Sequence, residues 1–445
     1  MARAMKDSGV NWIRQIPSGW NVANLRHNFA FGKGLPITKE NLRENGIAVI
    51  SYGQIHSKSN SGTGITRELI RYVDREYLLS NPDSLVHEDD FIFADTSEDL
   101  AGCGNFVYVD KEEQLFAGYH TIILRHKADY VQKYYAFLFL SDAWRSQIRE
   151  RVTGVKLFSI SQKILREASI LVPPIAEQSR IAAFLDDQCA RVDSVIAQTS
   201  ASIEEYKKLK QAVITQAVTK GIRPNRKMKD SGTGYIGEIP ADWNLKKLRY
   251  FGVCQNGISK AGEYFGRGYP FVSYSDVYKN IVLPLVPDKL VESTEAEQRN
   301  YSVQRGDIFF TRTSETIEEV GFTSVCKRTI EKATFAGFVI RVRPFDDTLL
   351  TDFAKYYFRS DIHRRYFVKE MNLVTRASLG QDLLKAMPVL VPDRCEQQEI
   401  IDYLDKKIAE IDSLIDRKAQ LLSELKNYKK SLIFEYVTGK KEVLA

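Results

Sequence analysis

Residues Pro173–Gly221 read PPIAEQSRIAAFLDDQCARVDSVIAQTSASIEEYKKLKQAVITQAVTKG. After the two prolines, apolar or small residues recur at steps of four and three, and no glycine or proline interrupts them before Gly221. A seam sustained over roughly five heptads is typical of a coiled-coil helix rather than of a core helix in a globular domain. The seam positions are Ile181, Leu185, Val192, Ile196 and Ile203. Since one helix cannot bury its own apolar stripe, this stretch predicts a partner helix.

The partner helix is predicted from Pro392 to Lys441, PDRCEQQEIIDYLDKKIAEIDSLIDRKAQLLSELKNYKKSLIFEYVTGKK. A shift of 219 residues (392 − 173) places Pro173 on Pro392 and Glu177-Gln178 on Glu396-Gln397. The second seam comprises Leu404, Ile408, Ile411, Ile415, Leu422 and Leu425. The two stretches are therefore copies of one long helix, and we expect them to form an intramolecular antiparallel coiled coil.

The repeat extends to the rest of the chain. Met5–Gly9 returns as Met228–Gly232, and the pattern IP-x-x-W of Ile16–Trp20 returns at Ile239–Trp243. Weaker matches join Ser51-Tyr52 to Ser273-Tyr274, Phe116–Gly118 to Phe335–Gly337, and Tyr134-Tyr135 to Tyr356-Tyr357. The order globular half, helix, globular half, helix indicates a tandem duplication with an internal pseudo-twofold axis.

Short apolar runs predict strands in both globular halves. The predicted strands are Ile47–Ser51, Phe91–Phe93, Phe106–Val109, Thr121–Leu124, Phe271–Ser273, Ile308–Thr311 and Val339–Val342. A helix is predicted over Ala128–Arg151 in the first half and over Leu350–Met371 in the second. We therefore expect an α+β (mixed α/β) fold with two globular domains separated by the two long helices. The expected boundaries are 1–172 and 222–391 for the domains, 173–221 and 392–445 for the helices, and 222–235 for a linker.

The composition of the 445-residue chain is that of a soluble globular protein, with 44% hydrophobic and 27% charged residues. Five scattered cysteines form no CxxC pair and no cluster with histidine, which predicts reduced thiols in a cytoplasmic protein without a metal site. No apolar stretch approaches the ~20 residues of a membrane span, and the N-terminus lacks the apolar region of a secretory signal.

The formal net charge is +6, and its distribution is more informative than its size. The helix stretches carry equal numbers of acidic and basic residues, six of each between Glu177 and Gly221 and nine of each between Glu396 and Lys441. The basic excess therefore lies in the remaining segments, as expected of globular domains that bind a polyanion. On charge alone, a slightly basic soluble protein without such a partner fits equally well.

Motifs of common enzyme classes are missing from the sequence. There is no GxxxxGK[ST] phosphate loop and no HExxH zinc motif. Asn81-Pro82 is followed by Asp-Ser rather than by the Pro-aromatic pair of amino-methyltransferases, and the six histidines are dispersed. We therefore predict no catalytic residue in this chain.

Basic and amide side chains in glycine- and serine-rich loops are the best candidates for contacts with DNA, because the backbone there can approach a phosphate closely. They are Lys33, Lys58, Asn60 and Arg67 in the first half and Lys260, Arg267, Lys279 and Arg312 in the second. Arg312 follows a predicted strand and is a candidate for contact with a guanine edge. For any one of these residues, an ordinary solvated loop charge is the simpler interpretation.

The length of the helices indicates what the domains are for. About 43 residues at ~1.5 Å each give a rod of roughly 65 Å, far longer than a globular core needs. Two similar domains held apart by such a rod suit a bipartite DNA site, whose halves lie near one helical turn or more apart. The alternative is a non-catalytic coiled-coil scaffold with two protein-binding domains.

Three sets of motifs make the chain resemble the specificity subunits of type I restriction–modification systems. They are the IP-x-x-W pairs, the helix openings with Glu177-Gln178 and Glu396-Gln397, and the helix ends Val218–Gly221 and Val437–Lys440. The resemblance covers nearly the whole chain in the right order. The globular halves match loosely, so base contacts cannot be transferred from the family.

This resemblance implies a DNA-reading subunit without catalysis of its own. Each globular half would be a target-recognition domain for one half of a bipartite, asymmetric double-stranded DNA site, and the helices would set the spacer. Two methyltransferase (modification) subunits and restriction/translocase subunits would be the partners. The cofactors S-adenosylmethionine, ATP and Mg would belong to those partners, with none in this chain.

Overall fold

A computed structural model describes residues 3–111, 114–127, 130–314, 320–370 and 377–443. The chain forms two compact units, of which the first is made of two separate segments and the second is continuous. The first unit comprises Met1–Ser200 with Gln420–Ala445, and the second comprises Ala201–Ala419. Each unit therefore contains one globular half and parts of both long helices.

The globular part of the first unit contains short strands and short helices. The strands are β1 Met5–Val10, β2 Ile13–Pro17, β3 Asn21–Asn24, β4 Phe29–Lys33, β5 Ile47–Ile50, β6 Arg71–Val73, β7 Leu85–Val86, β8 Phe91–Ala94, β9 Thr96–Ser97, β10 Phe106–Tyr108, β11 Leu115–Ala117, β12 Thr121–His126, β13 Phe158–Ser159 and β14 Ser169–Val172. The helices are α1 Leu25–Asn28, α2 Tyr52–Ile55, α3 Tyr77–Ser80, α4 Gln132–Leu140, α5 Asp142–Arg149 and α6 Gln162–Glu167. The first long helix, α7, spans Ile175–Lys220.

The second unit repeats this plan. Its strands are β15 Met228–Asp230, β16 Glu238–Pro240, β17 Asn244–Lys247, β18 Gly252–Asn256, β19 Phe265–Val272, β20 Lys289–Val291, β21 Ile308–Thr311, β22 Thr313–Ser314, β23 Thr323–Val325, β24 Thr334–Phe335, β25 Val339–Pro344, β26 Ala377–Ser378 and β27 Pro388–Val391. Its helices are α8 Tyr274–Lys279, α9 Glu295–Asn300, α10 Thr351–Tyr357, α11 Asp361–Glu370 and α12 Gln381–Ala386, followed by the second long helix, α13, at Arg394–Val437.

The sheets of the two units correspond, except that β7 at the edge of the sheet β6-β5-β11-β7 has no counterpart in the described sheet β20-β19-β24. The four-stranded sheet β10-β8-β12-β4 has its counterpart in β23-β21-β25-β18. The parallel pair β5 and β11 corresponds to β19 and β24, and the small pairs β1-β2, β3-β14 and β9-β13 correspond to β15-β16, β17-β27 and β22-β26. This correspondence confirms the predicted duplication and the mixed α/β fold class.

Each predicted globular helix is split in two, and a serine precedes the second part in both units. Ser141 precedes α5, and Ser360 precedes α11. Residues 128, 129 and 371, at the predicted ends of these helices, lie outside the described residues.

The tyrosine pairs, which the sequence alignment placed on one another, do not occupy equivalent positions. The side-chain oxygen Oε1 of Gln178 accepts from the backbone N–H of Val131, and Oε1 of Gln397 accepts from that of Leu350. Because these two residues precede α4 and α10, Tyr134 corresponds to Phe353 rather than to Tyr356. The predicted match of Tyr134-Tyr135 with Tyr356-Tyr357 was therefore wrong by three residues. The two tyrosine pairs have the same letters by chance, and the sequence alignment followed these letters instead of the structural register of α4 and α10.

The two long helices pair antiparallel within each unit. The contacts are Asp193 with Lys429 at 2.6 Å and Phe184 with Tyr436 at 4.5 Å between ring centroids in the first unit, and Lys210 with Asp412 at 2.6 Å and Lys418 with Tyr206 at 5.7 Å in the second. In both units, residue numbers rise along one helix as they fall along the other. This arrangement is the antiparallel coiled coil expected from the seam.

The seam residues face inward to different degrees. Buried seam residues are Ile181, Leu185, Val192, Leu404, Ile408 and Ile411, and half-buried ones are Ile196, Ile203, Ile415, Leu422 and Leu425. The buried set includes members of the globular cores, Ile181 and Leu185 in the first unit and Leu404 and Ile408 in the second. Burial decreases toward the middle of each helix, away from these cores.

A buried glutamate anchors the start of each long helix to its globular domain. In the first unit, the indole Nε1 of Trp20 donates to Glu177 at 2.9 Å, and Arg3 forms an ion pair with the same carboxylate. In the second unit, the group repeats as Trp243, Glu396 and Arg226. Each guanidinium also lies over the tryptophan ring, 5.3 Å and 5.5 Å from the ring centroids.

The glycines after the long helices pack on these same tryptophans. Gly221 and Gly439 have left-handed backbone angles, with φ of 72° and 68°, as is common after a helix C-terminus. A Cβ on Gly221 would lie 3.3 Å from Trp243, and one on Gly439 would lie 3.1 Å from Trp20. One helix therefore begins and the other ends at each tryptophan, which explains why these three motifs occur together.

We predict that Glu396→Ala destabilises the second unit by about 3–5 kcal/mol, because it removes the acceptor of the buried Trp243 indole N–H and leaves the largely buried Arg226 with Asp242 alone. Urea unfolding followed by tryptophan fluorescence measures the loss. The matched control is Glu399→Ala, which removes an exposed carboxylate bound to Arg223 on the same helix turn. Equal shifts of the unfolding midpoint for the two variants would contradict the anchoring role of Glu396.

Candidate nucleic-acid interface

The repeated Phe-Ala-Gly triplets, Phe116–Gly118 and Phe335–Gly337, form the turn on which each globular domain converges. In the first unit, the residue after β4 is Gly34, where an added Cβ would lie 1.9 Å from the carbonyl oxygen of Gly118. In the second unit, a Cβ on Gly257 would lie 2.1 Å from the carbonyl oxygen of Phe335. Only glycine allows this close approach, so the loops after β4 and β18 pass directly over the triplet.

A serine-capped helix begins at the same turn. Ser51 and Ser273 are the N-caps of α2 and α8, and both begin a capping box. The N–H of Gly118 donates to Ile50 at 2.7 Å, and that of Ala336 donates to Val272 at 3.0 Å. The repeated Ser-Tyr pairs are therefore structurally equivalent. The predicted match of Phe116–Gly118 with Phe335–Gly337, by contrast, was wrong by one residue, because Ala117 and Gly118 take the places of Phe335 and Ala336.

The central strands β8 and β21 also end at this turn. The N–H of Asp95 donates to the carbonyl of His120 at 3.1 Å, and the N–H of Arg312 donates to that of Phe338 at 2.9 Å. His120 and Phe338 follow the triplets almost at once in the sequence. We call the place where these strands, loops and helices meet the FAG edge of each domain.

Five of the predicted DNA-contacting residues carry no ion pair with any residue that the structure describes. Lys33, Lys58, Arg67 and Lys279 are exposed, and Arg312 is half-buried. All five lie on or next to elements that begin or end at a FAG edge. Lys33 ends β4, Lys58 follows α2 and Arg67 precedes β6 in the first domain. Lys279 ends α8 and Arg312 follows β21 in the second. The antiparallel pairing of β6 with β5 places the start of β6 at this edge.

The other three predicted residues are held by contacts within the domain. The amide of Asn60 donates to the carbonyls of Ile55 and Phe106 and accepts from the N–H of Gly62, so it shapes its own loop. Lys260 binds Glu297 at 2.7 Å and is largely buried. Arg267 binds Glu292 at 2.6 Å and lies in the N-terminal half of β19, away from the FAG edge.

In each domain, a buried ion pair lies at the opposite end of the central strand from the FAG edge, and the sequence analysis did not predict it. Asp90 binds Arg125 at 2.9 Å in the first unit, and Asp307 binds Arg343 at 2.6 Å in the second. Both aspartates are 1% exposed. The signal was present as VHEDDFIF at 86–93 and VQRGDIFF at 303–310, where only three of eight letters agree.

Behind the FAG edge, the two domains differ in chemistry. In the first, Asn105 donates to Nδ1 of His56, whose Nε2 lies 2.8 Å from the carbonyl oxygen of Thr96. Arg145 donates to Asn105, and burial lowers the pKa of Arg145 to about 10, which leaves it cationic at neutral pH.

In the second domain, Arg359 lies over the ring of Phe322 and donates to the carbonyls at the end of α8. Burial lowers the pKa of Arg359 to about 10. The same scaffold therefore supports a polar network in one domain and an aromatic one in the other.

Within the described ranges, no group of three or more histidine, cysteine, aspartate or glutamate side chains is placed to hold a metal ion. Among the helices of those ranges, none is both long and apolar enough to cross a membrane.

The model of the type I restriction modification DNA specificity domain matches the chain twice, at residues 17–205 and 240–424. The chain is 24% identical over 438 residues to the EcoKI specificity subunit of Escherichia coli (strain K12), covering 96% of this chain and 90% of that protein. It is also 24% identical over 443 residues to the putative MjaX specificity subunit of Methanocaldococcus jannaschii, covering 96% and 95%.

Solved structures share the fold. A chain from a study of assembly and conformational transition of the type I R-M system has a TM-score of 0.71 at 17% identity, covering 96% of this chain and 99% of that one. The HsdS subunit from Thermoanaerobacter tengcongensis has a TM-score of 0.51 at 17% identity, covering 96% and 98%. The chain belongs to the DNA specificity subunits of type I restriction–modification systems, with one DNA-recognition domain in each unit.

Proposed function

We propose that each FAG edge binds one half of a bipartite, asymmetric DNA site. The observation that carries this proposal is the set of cations at the two edges that have no ion-pair partner among the described residues. A cation left without a carboxylate can exchange its counterions for DNA phosphates. Lys33, Lys58 and Arg67 supply such charges in the first domain, and Lys279 and Arg312 supply them in the second.

The two long helices, in this proposal, set the number of unread base pairs between the halves. The helices comprise 46 and 44 residues and pair through their seams and through an interhelical ion pair in each unit. A rigid element of fixed length is what a fixed spacer requires.

The chemistry of modification and restriction belongs, in this proposal, to partner subunits. Two methyltransferase subunits would bring S-adenosylmethionine, and restriction/translocase subunits would bring ATP and Mg. This chain would supply DNA recognition and a docking surface, without turnover of its own. A scaffold that binds two proteins instead of DNA is the competing function.

The test is to co-express the chain with the modification subunit encoded beside it and to map methyladenine across the host genome. We expect one split motif with two specified blocks and a fixed gap. Replacing residues 1–172 by the corresponding domain of a relative is expected to change one block only. Association of the two proteins without DNA binding or methylation would favour the scaffold.

We predict that Lys33→Ala and Lys279→Ala weaken DNA binding by the complex with modification subunits to a similar extent on cognate and unrelated DNA. Each lost phosphate contact is expected to reduce the slope of log affinity against log salt by about 1. Matched controls are Lys6→Ala and Lys229→Ala, exposed lysines at equivalent positions of β1 and β15. Salt titrations that give the same slope for Lys33→Ala and Lys6→Ala would exclude Lys33 from the interface.

We predict that one extra heptad in both long helices lengthens the spacer by about three base pairs. Copies of residues 197–203 and 419–425, inserted after Ile203 and Leu425, preserve the seven-residue seam and add ~10 Å to each helix. The methylation map is expected to retain both blocks around the wider gap. An insertion in one helix alone serves as a control, because it breaks the pairing. An unchanged gap in the double insertion would show that the helices do not act as the ruler.

A further inference from the structure

We propose that Asp95 and Arg312 are the equivalent base-reading positions of the two domains. Arg312 reads the edge of a guanine, and Asp95 reads the amino group of a cytosine. This inference rests on the proposed function, since it assigns individual bases to the two FAG edges.

The equivalence follows from the backbone. Each residue comes directly after a central strand and donates its N–H to the residue that lies beside the FAG triplet. Each also accepts at 2.7 Å through its carbonyl, Asp95 from Ile160 and Arg312 from Leu379. Both are followed by a two-residue strand, β9 or β22, that pairs with β13 or β26. The two side chains therefore leave the same point of the scaffold.

The opposite charges at this point are not required by the fold. One structural ion pair is the same in both domains, Asp90 with Arg125 in the first and Asp307 with Arg343 in the second. The residues that follow β8 and β21 differ, by contrast. They form the same backbone hydrogen bonds, but Asp95 is acidic and Arg312 is basic. A position that keeps its backbone geometry and inverts its charge is suited to a role that differs between the domains. In the proposed function, that role is to read the DNA half-site, because the two halves of an asymmetric site have different sequences.

Arg312 differs from the other arginines of its environment. The remaining buried and half-buried arginines described in the second unit all donate to protein acceptors; these are Arg226, Arg341, Arg343 and Arg359. Arg312 is half-buried, and its guanidinium has no acceptor among the described residues. Its backbone partner, Phe338, carries a ring that is 63% exposed. The side chain therefore has donors to offer beside an exposed apolar surface.

Asp95 is held as an acceptor. Its Oδ1 accepts from the hydroxyl of Thr96 at 2.6 Å and lies 3.2 Å from Nδ1 of His120. The ring of Tyr52 packs edge-on against His120, with centroids 5.4 Å apart. The other carboxylate oxygen, Oδ2, receives no hydrogen bond from the described residues, and the side chain is 34% exposed. The carboxylate is thus oriented with one oxygen available.

The bases follow from donor and acceptor chemistry. Guanidinium groups only donate, and guanine presents two acceptors, N7 and O6, in the major groove. Carboxylates only accept, and the N4 amino group of cytosine is the donor that they read there. The exposed ring of Phe338 adds an apolar contact that a thymine methyl next to the guanine would satisfy.

The test begins with the methylation map of complexes that contain Arg312→Ala or Asp95→Ala. Arg312→Ala is expected to relax one G·C pair in the block read by the second domain and to leave the other block unchanged. Asp95→Ala is expected to do the same in the first block. The control is Arg305→Ala, an exposed arginine at the opposite end of β21. Retention of both blocks in full by both variants would overturn the inference.

A binding measurement covers variants that lose methylation altogether. When 7-deazaguanine replaces the assigned guanine, the wild-type complex is expected to lose affinity about tenfold, because one acceptor of the arginine is gone. The Arg312→Ala complex is expected to be insensitive to that replacement, whereas an equal loss would exclude Arg312 as the reader. If Arg312→Ala unfolds at a lower temperature than the wild type, the Arg312→Lys variant is used in place of Arg312→Ala. A wild-type complex that bound no split site would instead overturn the proposed function itself.

Discussion

The architecture depends on a carboxylate that is removed from water at the first turn of each long helix. Glu177 and Glu396 are buried, and a buried charge is costly unless it is fully paired. A tryptophan and an arginine that flank the hairpin β1-β2 or β15-β16 supply that pairing. The start of each long helix is thereby fixed to its domain. Because the other helix ends at the same tryptophan, each domain holds one end of both long helices.

Duplication let this support stay constant while the FAG edge changed. The close approach of Gly34 and Gly257, the serine caps and the aspartate–arginine pairs are shared by both domains. The groups behind the edge are not: His56 and Asn105 stand in one domain where aromatic rings stand in the other. Such a division separates the residues that make a domain fold from those that make it selective, so selectivity can change at small cost in stability.

Much of the fold was predictable because helical seams and repeated motifs are local in sequence. The seam from Ile181 to Ile203 follows from spacing alone, and apolar runs located seven of the strands, whereas the other strands were not predicted. The FAG edge was harder to predict, because it brings together residues from β4, β8 and β11 that lie far apart in the sequence. Asn60 and Lys260 resembled phosphate ligands in their loops, yet their partners, Phe106 and Glu297, come from distant segments. Asp95 escaped notice because an acid is not an obvious DNA contact until its equivalence with Arg312 is seen.

The discontinuous first unit has a consequence for how the protein is made. Its core includes Leu432, Ile433 and Val437, which leave the ribosome after the whole second domain has been synthesised. Until then, the apolar surface around Trp20 stays exposed to solvent, and the N-terminal part of the first helix lacks its partner helix. The nascent chain therefore carries an unfinished domain through most of its translation, a state in which exposed apolar surface invites chaperones or aggregation. The last turns of the second helix complete the first unit alone, since the second unit ends at Ala419.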